Sequence, residues 1–236
     1  MECQRCFYLD NKLGVARPRG PSFTLNLAVD ALLKKEFDIH RTNKSTHPLM
    51  EKYGLDAIPF SHKQLNTWRE NFEGIEYYDP NTGLTVSGAI DDVWVNPKGE
   101  LLIVDYKATS KDGKIDVLGD SPWEDQYKRQ MEVYQWLLRK NGFKVSNTGY
   151  FVYVNGRKDG EAFDAKLEFD VTLIPNIGDD SWIEDKLKEI KECLDSDKVP
   201  ADSKECDFCN YRKLSREAME GTVKKKAAKN SSTLFL

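Results

Sequence analysis

The chain has 236 residues, 39% of them hydrophobic and 31% charged, which is the balance of a globular protein long enough to bury a core. Thirty-five basic residues against 39 acidic ones leave a net charge of −4, which excludes a uniformly basic, nucleic-acid-coating protein. No apolar run is long enough to span a bilayer, and the opening MECQRCFYLD lacks the basic-then-apolar order of a secretory leader. An intracellular, cytoplasmic chain without membrane partners is therefore expected.

Taken in chain order, Cys3 and Cys6 open the sequence as a C-x-x-C pair. Ser22 is placed to cap a helix through about Phe37, with Leu25, Val29 and Leu32 at helical spacing. Ser61 and Gln64 read as a capping box ahead of Leu65, Trp68 and Phe72. Residues 85–96 are rich in Val, Ile and Trp, 101–109 is similar, and the intervening Pro97-Lys98-Gly99 predicts a hairpin. A long helix is expected from Trp123 to Lys140, ending before Gly142. Strands are expected over 149–155 and 166–174. Ser181 and Glu184 then open a helix with Ile183, Leu187, Ile190 and Leu194 on one stripe, and Cys193 packs within it. Cys206 and Cys209 form a second C-x-x-C. Beyond residue 212 the chain turns polar, with Lys224, Lys225, Lys226 and Lys229, so 1–212 reads as one domain and 213–236 as a frayed or disordered tail. Helices around strands in this order predict an α/β protein with a central sheet flanked by helices.

Two C-x-x-C pairs supply four thiolates, the spacing that grips one tetrahedral metal centre. Such a centre would pin the two chain ends together by closing a very long loop. The alternatives are four buried thiols or two redox pairs. Spacing alone suits zinc at least as well as any other metal.

The hairpin carries the chemistry. A turn centred on Lys98 makes residues whose numbers sum to 196 face one another, so Asp91 stands opposite Asp105. Alternation along the strand puts Lys107 on the same face as Asp105. Val93, Val95, Leu101 and Ile103 lie on one face and Ile90, Trp94, Leu102 and Val104 on the other, as befits a covered central strand, while Asp92 and Glu100 nearby read as a solubilising acidic cluster. Two opposed carboxylates at the end of such a strand repel each other, and a hard divalent cation, magnesium or manganese, resolves the conflict. An ammonium beside that cation can orient water or offset charge growing on a phosphate. The plainer reading is a surface ion pair at a strand end.

The motifs G-x-I-D at Gly88–Asp91, I-V-D-Y-K at Ile103–Lys107 and Q-x-x-x-Y at Gln130–Tyr134 resemble the PD-(D/E)XK nuclease superfamily, and within it the RecB-like branch. The resemblance implies a restriction-endonuclease-like mixed sheet, Asp91 and Asp105 as metal ligands, Lys107 as catalytic lysine, and Gln130 and Tyr134 bordering the active site. Where the family often has a histidine in its first helix, this chain offers Asp30 as a further ligand. The opening Cys3-Gln4-Arg5-Cys6-Phe7-Tyr8 resembles that of RecB-like enzymes with an iron–sulfur cluster, including CRISPR-associated exonucleases. That resemblance implies a [4Fe–4S] cluster on Cys3, Cys6, Cys206 and Cys209, in a two-plus-two arrangement where the family commonly has one-plus-three.

No G-x-S-x-G or G-x-x-x-x-G-K-[ST] motif occurs, and His40, His47 and His62 form no H-E-x-x-H pair. The expected function is a metal-dependent DNA nuclease acting in repair, recombination, replication or CRISPR-type processing, on single-stranded DNA or free ends. A helicase or processing-complex subunit is an expected partner. Arg17, Arg19, Lys128 and Arg129 are candidate phosphate contacts in a local groove. The competing expectation is a non-catalytic docking subunit that keeps the fold.

Overall fold

A computed structural model describes residues 2–18, 20 and 23–221. In chain order the elements are α1 (Gln4–Asn11), α2 (Thr24–Asn43), α3 (Pro48–Lys52), β1 (Ile58–Pro59), α4 (Leu65–Trp68), β2 (Ile75–Asp79) and β3 (Leu84–Gly88). They continue with β4 (Asp92–Val95), β5 (Leu101–Thr109), α5 (Pro122–Lys140), β6 (Thr148–Gly156), β7 (Phe169–Ile177), α6 (Ile183–Asp195) and α7 (Asp207–Met219). They fall into two compact units, one spanning residues 21–187 and one built from both chain ends, up to residue 20 and from residue 188. No described helix is long and apolar enough to cross a membrane.

The larger unit is a mixed five-stranded sheet of order β1-β4-β5-β6-β7, with a separate β2-β3 hairpin. Only β5 and β6 run parallel, and α5 makes the crossover between them. The first six residues of β5 are buried, which is why the strand reads as apolar on both faces. Trp94, Leu102, Val104 and Tyr106 pack on one side with Phe37, Leu49 and Met50. Phe37 anchors that layer by stacking on both Trp94 and His47. On the other side α5 approaches so closely that two glycines are required. A Cβ on Gly88 would lie 2.7 Å from Tyr134 Cε1, and one on Gly149 would lie 2.9 Å from Met131 Cγ.

The central mixed sheet flanked by helices is the architecture expected, and β4 meets β5 in the expected register, Val93 opposite Ile103 and Trp94 opposite Leu102. The turn is held by Asn96, whose Oδ1 accepts from the backbone N–H groups of Lys98 and Glu100 at 3.0 and 2.9 Å. Four expectations need correction. Residues 85–96 are not one strand, because β3 pairs with β2 and the chain breaks over 89–91 before β4 joins the main sheet. At that break Ile90 N–H donates to Trp68 O at 2.8 Å, so the backbone is satisfied outside any ladder. The helix at Leu65 stops at Trp68, Gln64 caps it without a side-chain bond, and Phe72 is 98% exposed. Arg69, the next residue, turns inward to the buried Asp92 and to Asp38. Helix α2 runs to Asn43 and buries Phe37 with Val29 and Leu33 against it, leaving Leu25 and Leu32 on the exposed side. Strand β7 begins at Phe169, since Lys166 N–H closes a turn onto Phe163 O.

In the smaller unit, α1 and α7 bring the two chain ends together. Residues 213–219 are helical in α7, while Ser22 and Lys224, Lys225, Lys226 and Lys229 lie outside the described residues.

Candidate active site and four-cysteine centre

Burial ends along β5 at Tyr106, and the half-buried residues that follow open onto a cleft of about 640 Å³. Its lining includes Asp30 and Lys34 of α2, Asp91 from the break before β4, Asp105 and Lys107 of β5, and Tyr127, Gln130 and Tyr134 of α5. The ends of parallel strands are where open α/β sheets place their ligands.

Asp91 is about a quarter exposed, and its Oδ2 accepts from Tyr106 N–H at 2.8 Å. Its other oxygen, Oδ1, lies 3.7 Å from Lys34 Nζ, which also holds Asp30 Oδ2 at 2.9 Å. Asp105 is almost fully buried. Lys107 Nζ is its ion-pair partner at Oδ2. Lys107 Nζ donates to Gln130 Oε1 at 3.2 Å, and Gln130 Nε2 donates to Tyr134 Oη at 2.7 Å. The ammonium also sits 4.6 Å from the centre of the Tyr127 ring. Residues 127, 130 and 134 share one helix face at i, i+3 and i+7, so a single face of α5 fixes the lysine.

The electrostatics fit a cation. Burial, then the charge of Asp105, raise Asp91 to about 7, only partly offset by Tyr106 N–H, Lys34 and Lys107. Burial also raises Asp105, against the opposing pull of Lys107. A buried carboxylate with a single lysine as counter-charge, beside a second carboxylate reluctant to ionise, is a donor set suited to a hard divalent ion. Asp30 is tied to Lys34. Among the described residues only the four cysteines bring three or more metal-binding side chains within 4.8 Å of one another.

The hairpin sequence hides one residue that supports the site without lining it. Asp92 is fully buried and is the hub of a polar network. It accepts from Arg69 Nη2 and Val93 N–H at 2.9 and 2.8 Å, Tyr106 Oη at 2.8 Å, Trp94 Nε1 at 3.3 Å, and Arg41 Nη2. Arg69 Nε also donates to the Asp91 carbonyl at 3.1 Å, so the hub grips the backbone that presents Asp91. The signal available in sequence was a second aspartate in an otherwise apolar strand, balanced by Arg41 and Arg69 in separate segments. Asp92→Asn is expected to cost about 3–5 kcal/mol, because it leaves two buried guanidiniums short of charge. Urea denaturation measures it; a change below 1 kcal/mol would show the network to be dispensable.

The proposed phosphate contacts are scattered. Lys128 donates to Gly119 O at 2.9 Å and pairs with Asp120 and Asp125 at 3.1 and 3.5 Å. Arg129 is exposed on α5 and does not line the cleft. Arg17 belongs to the smaller unit, where it sits by the cysteines, and Arg19 lies outside the described residues.

Cys3 and Cys206 are the N-cap residues of α1 and α7, and Cys6 and Cys209 follow three residues later in each helix. Each C-x-x-C is thus the same knuckle at a helix N-terminus, where backbone N–H groups favour thiolate. All four are buried, with Sγ–Sγ separations of 3.7 Å for Cys3–Cys209, 3.6 Å for Cys6–Cys206 and 3.5 Å for Cys6–Cys209. Burial raises Cys3, but the N–H groups of Ser203 and Cys6 and the adjoining thiols outweigh it and bring Cys3 down to about 6. Burial and its three neighbours push Cys209 upward. Four thiols this close cannot all ionise without a cation among them. Cys193 is buried in α6, apart from this group.

Strand β5 delivers Asp105 and Lys107, and the break before β4 delivers Asp91, to one cleft. The family model for the PD-(D/E)XK nuclease superfamily matches residues 24–214, most of the chain, and the chain belongs to that superfamily. No match was found among curated proteins or among solved structures.

Proposed function

We propose that the protein is a RecB-like, divalent-metal-dependent deoxyribonuclease that hydrolyses phosphodiester bonds in single-stranded DNA or at free ends, in repair, recombination, replication or CRISPR-type processing. The observation that carries this reading is the convergence of Asp91, Asp105 and Lys107 on one cleft, with Gln130 and Tyr134 fixing the lysine. Asp91 and Asp105 would hold magnesium or manganese, with Asp30 within reach of the same cleft. The ion supplies a Lewis acid and a water of lowered pKa. Lys107, paired with Asp105, would offset the negative charge that grows on the scissile phosphate. Gln130 holds the Nζ in place from the helix side, so the ammonium is pre-aimed rather than recruited. The Tyr134 hydroxyl stays protonated, because burial and then the charge of Asp105 raise its pKa. It therefore acts as an orienting group for Gln130. A helicase or other processing subunit would deliver the opened strand to the cleft.

End-labelled single- and double-stranded DNA and a matching RNA, incubated with magnesium or manganese, test the reading. Cleavage of DNA is expected, with Lys107→Ala lowering kcat about 10²–10³-fold while DNA affinity is kept. Binding without cleavage of any substrate, under either metal, would instead identify a docking subunit that has kept the fold.

A further inference from the structure

We infer that the four cysteines hold one zinc ion in a tetrahedral tetrathiolate site, and not the iron–sulfur cluster that the resemblance to cluster-bearing enzymes implies. The geometry decides between them. Four sulfurs bonded at about 2.3 Å to one tetrahedral zinc stand about 3.8 Å from each other. The close pairs here lie at 3.5, 3.6 and 3.7 Å, and all four Sγ atoms fall within 4.8 Å. Even a regular tetrahedron with that longest edge puts its centre only about 2.9 Å from each corner, little more than one metal–sulfur bond. A cubane bonds each cysteine to a different iron at the cube's corners, so its thiolates stand one bond outside a cage of eight atoms. The space among these sulfurs admits a single ion.

The surroundings agree. Two identical knuckles, each an N-cap cysteine and a cysteine three residues on, are the symmetric two-plus-two donor set of zinc-ribbon-like sites. Four thiolates on a divalent ion carry two excess negative charges. The guanidinium of Arg17 meets them, with Nη2 3.7 Å from Cys206 Sγ and the side chain stacked 4.6 Å from the Phe208 ring centre. Arg17 is therefore an outer-shell partner of the metal. The tie between chain ends is redox-inert, so this unit carries no electron-transfer chemistry.

The test uses the full-length chain, purified anaerobically without metal-affinity resin from cells supplied with both iron and zinc. Colourless protein with about one zinc per chain and no acid-labile sulfide is expected. Exchange with cobalt(II) should then give the strong visible bands and sulfur-to-metal charge transfer of a tetrahedral tetrathiolate, unchanged in Cys193→Ser. Brown protein with iron and sulfide in equal amounts would overturn the proposal. So would a weak octahedral cobalt spectrum, or protein that holds no metal. The wild-type spectra decide the matter whether or not the cleft cleaves DNA.

Discussion

Asp91→Asn is expected to abolish metal-dependent cleavage and, at pH 8 without metal, to raise the melting temperature. Both effects follow from one fact, that the fold holds this carboxyl where it resists ionisation. The group is raised from 3.8 to about 7 by burial and by Asp105. A raised folded-state pKa contributes stability that is fully present below about pH 3.8 and lost as pH rises through about 7. Above that window the metal-free protein carries an unfavourable charge pair, and asparagine removes it while its carbonyl still accepts from Tyr106 N–H. The wild type and the variant should accordingly melt together near pH 4 and diverge at pH 8. Adding magnesium or manganese should then stabilise the wild type alone, since only it gains from mass action. Because the ligand must be deprotonated, metal affinity should weaken as pH falls below about 7. Loss of activity should exceed the 10–100-fold typical of outer-shell changes. A variant that cleaves DNA at a tenth of the wild-type rate or better would remove Asp91 from the metal site. A variant less stable than wild type at pH 8 would refute the electrostatic account.

The second large effect concerns the chain ends. Cys3→Ser and Cys206→Ser should each lower thermal stability far more than Cys193→Ser, although all three thiols are buried. At Cys193 the exchange swaps a small apolar group for a hydroxyl, costing roughly 1–3 kcal/mol. At the other two positions it removes a metal ligand, and a structural zinc supplies about 10–16 kcal/mol of apparent folding energy in small zinc-dependent peptides. Without the metal, the α1 and α7 knuckles bring four thiols together with nothing to offset their mutual repulsion. Limited proteolysis should then open residues 1–20 and 188–221 first, and a chelator should reproduce that pattern in the wild type. Equal melting temperatures in all three variants would show that the knuckles are ordinary packing.

Legibility followed the range of the interactions. The β4–β5 register came from local chemistry, because Asn96 and Gly99 make a turn whose centre can be read directly and strand alternation does the rest. The long helix was legible from its stop before Gly142, and the structure adds the capping box of Ser121 and Glu124 that starts it at Pro122. Leu32 misled because helical spacing says which residues share a face but not which face meets the core, and Phe72 misled because the helix ends at Trp68 before reaching it. Asp92 misled in the opposite direction. Beside Asp91 it resembles one more surface charge, and only the approach of Arg41 and Arg69 from separate segments buries it.

From its own order of residues, then, this chain determines where the acidic pair and lysine fall on the hairpin, and that two cysteine pairs stand at its ends. These depend on turns, alternation and counting, which act over a few residues. Only the tertiary structure decides that the strand breaks at 89–91 to free Asp91, that α5 reaches over Gly88 to fix Lys107, and that the four sulfurs come within 4.8 Å of one another. Those outcomes depend on distances between segments remote in sequence, which packing sets and local pattern does not encode.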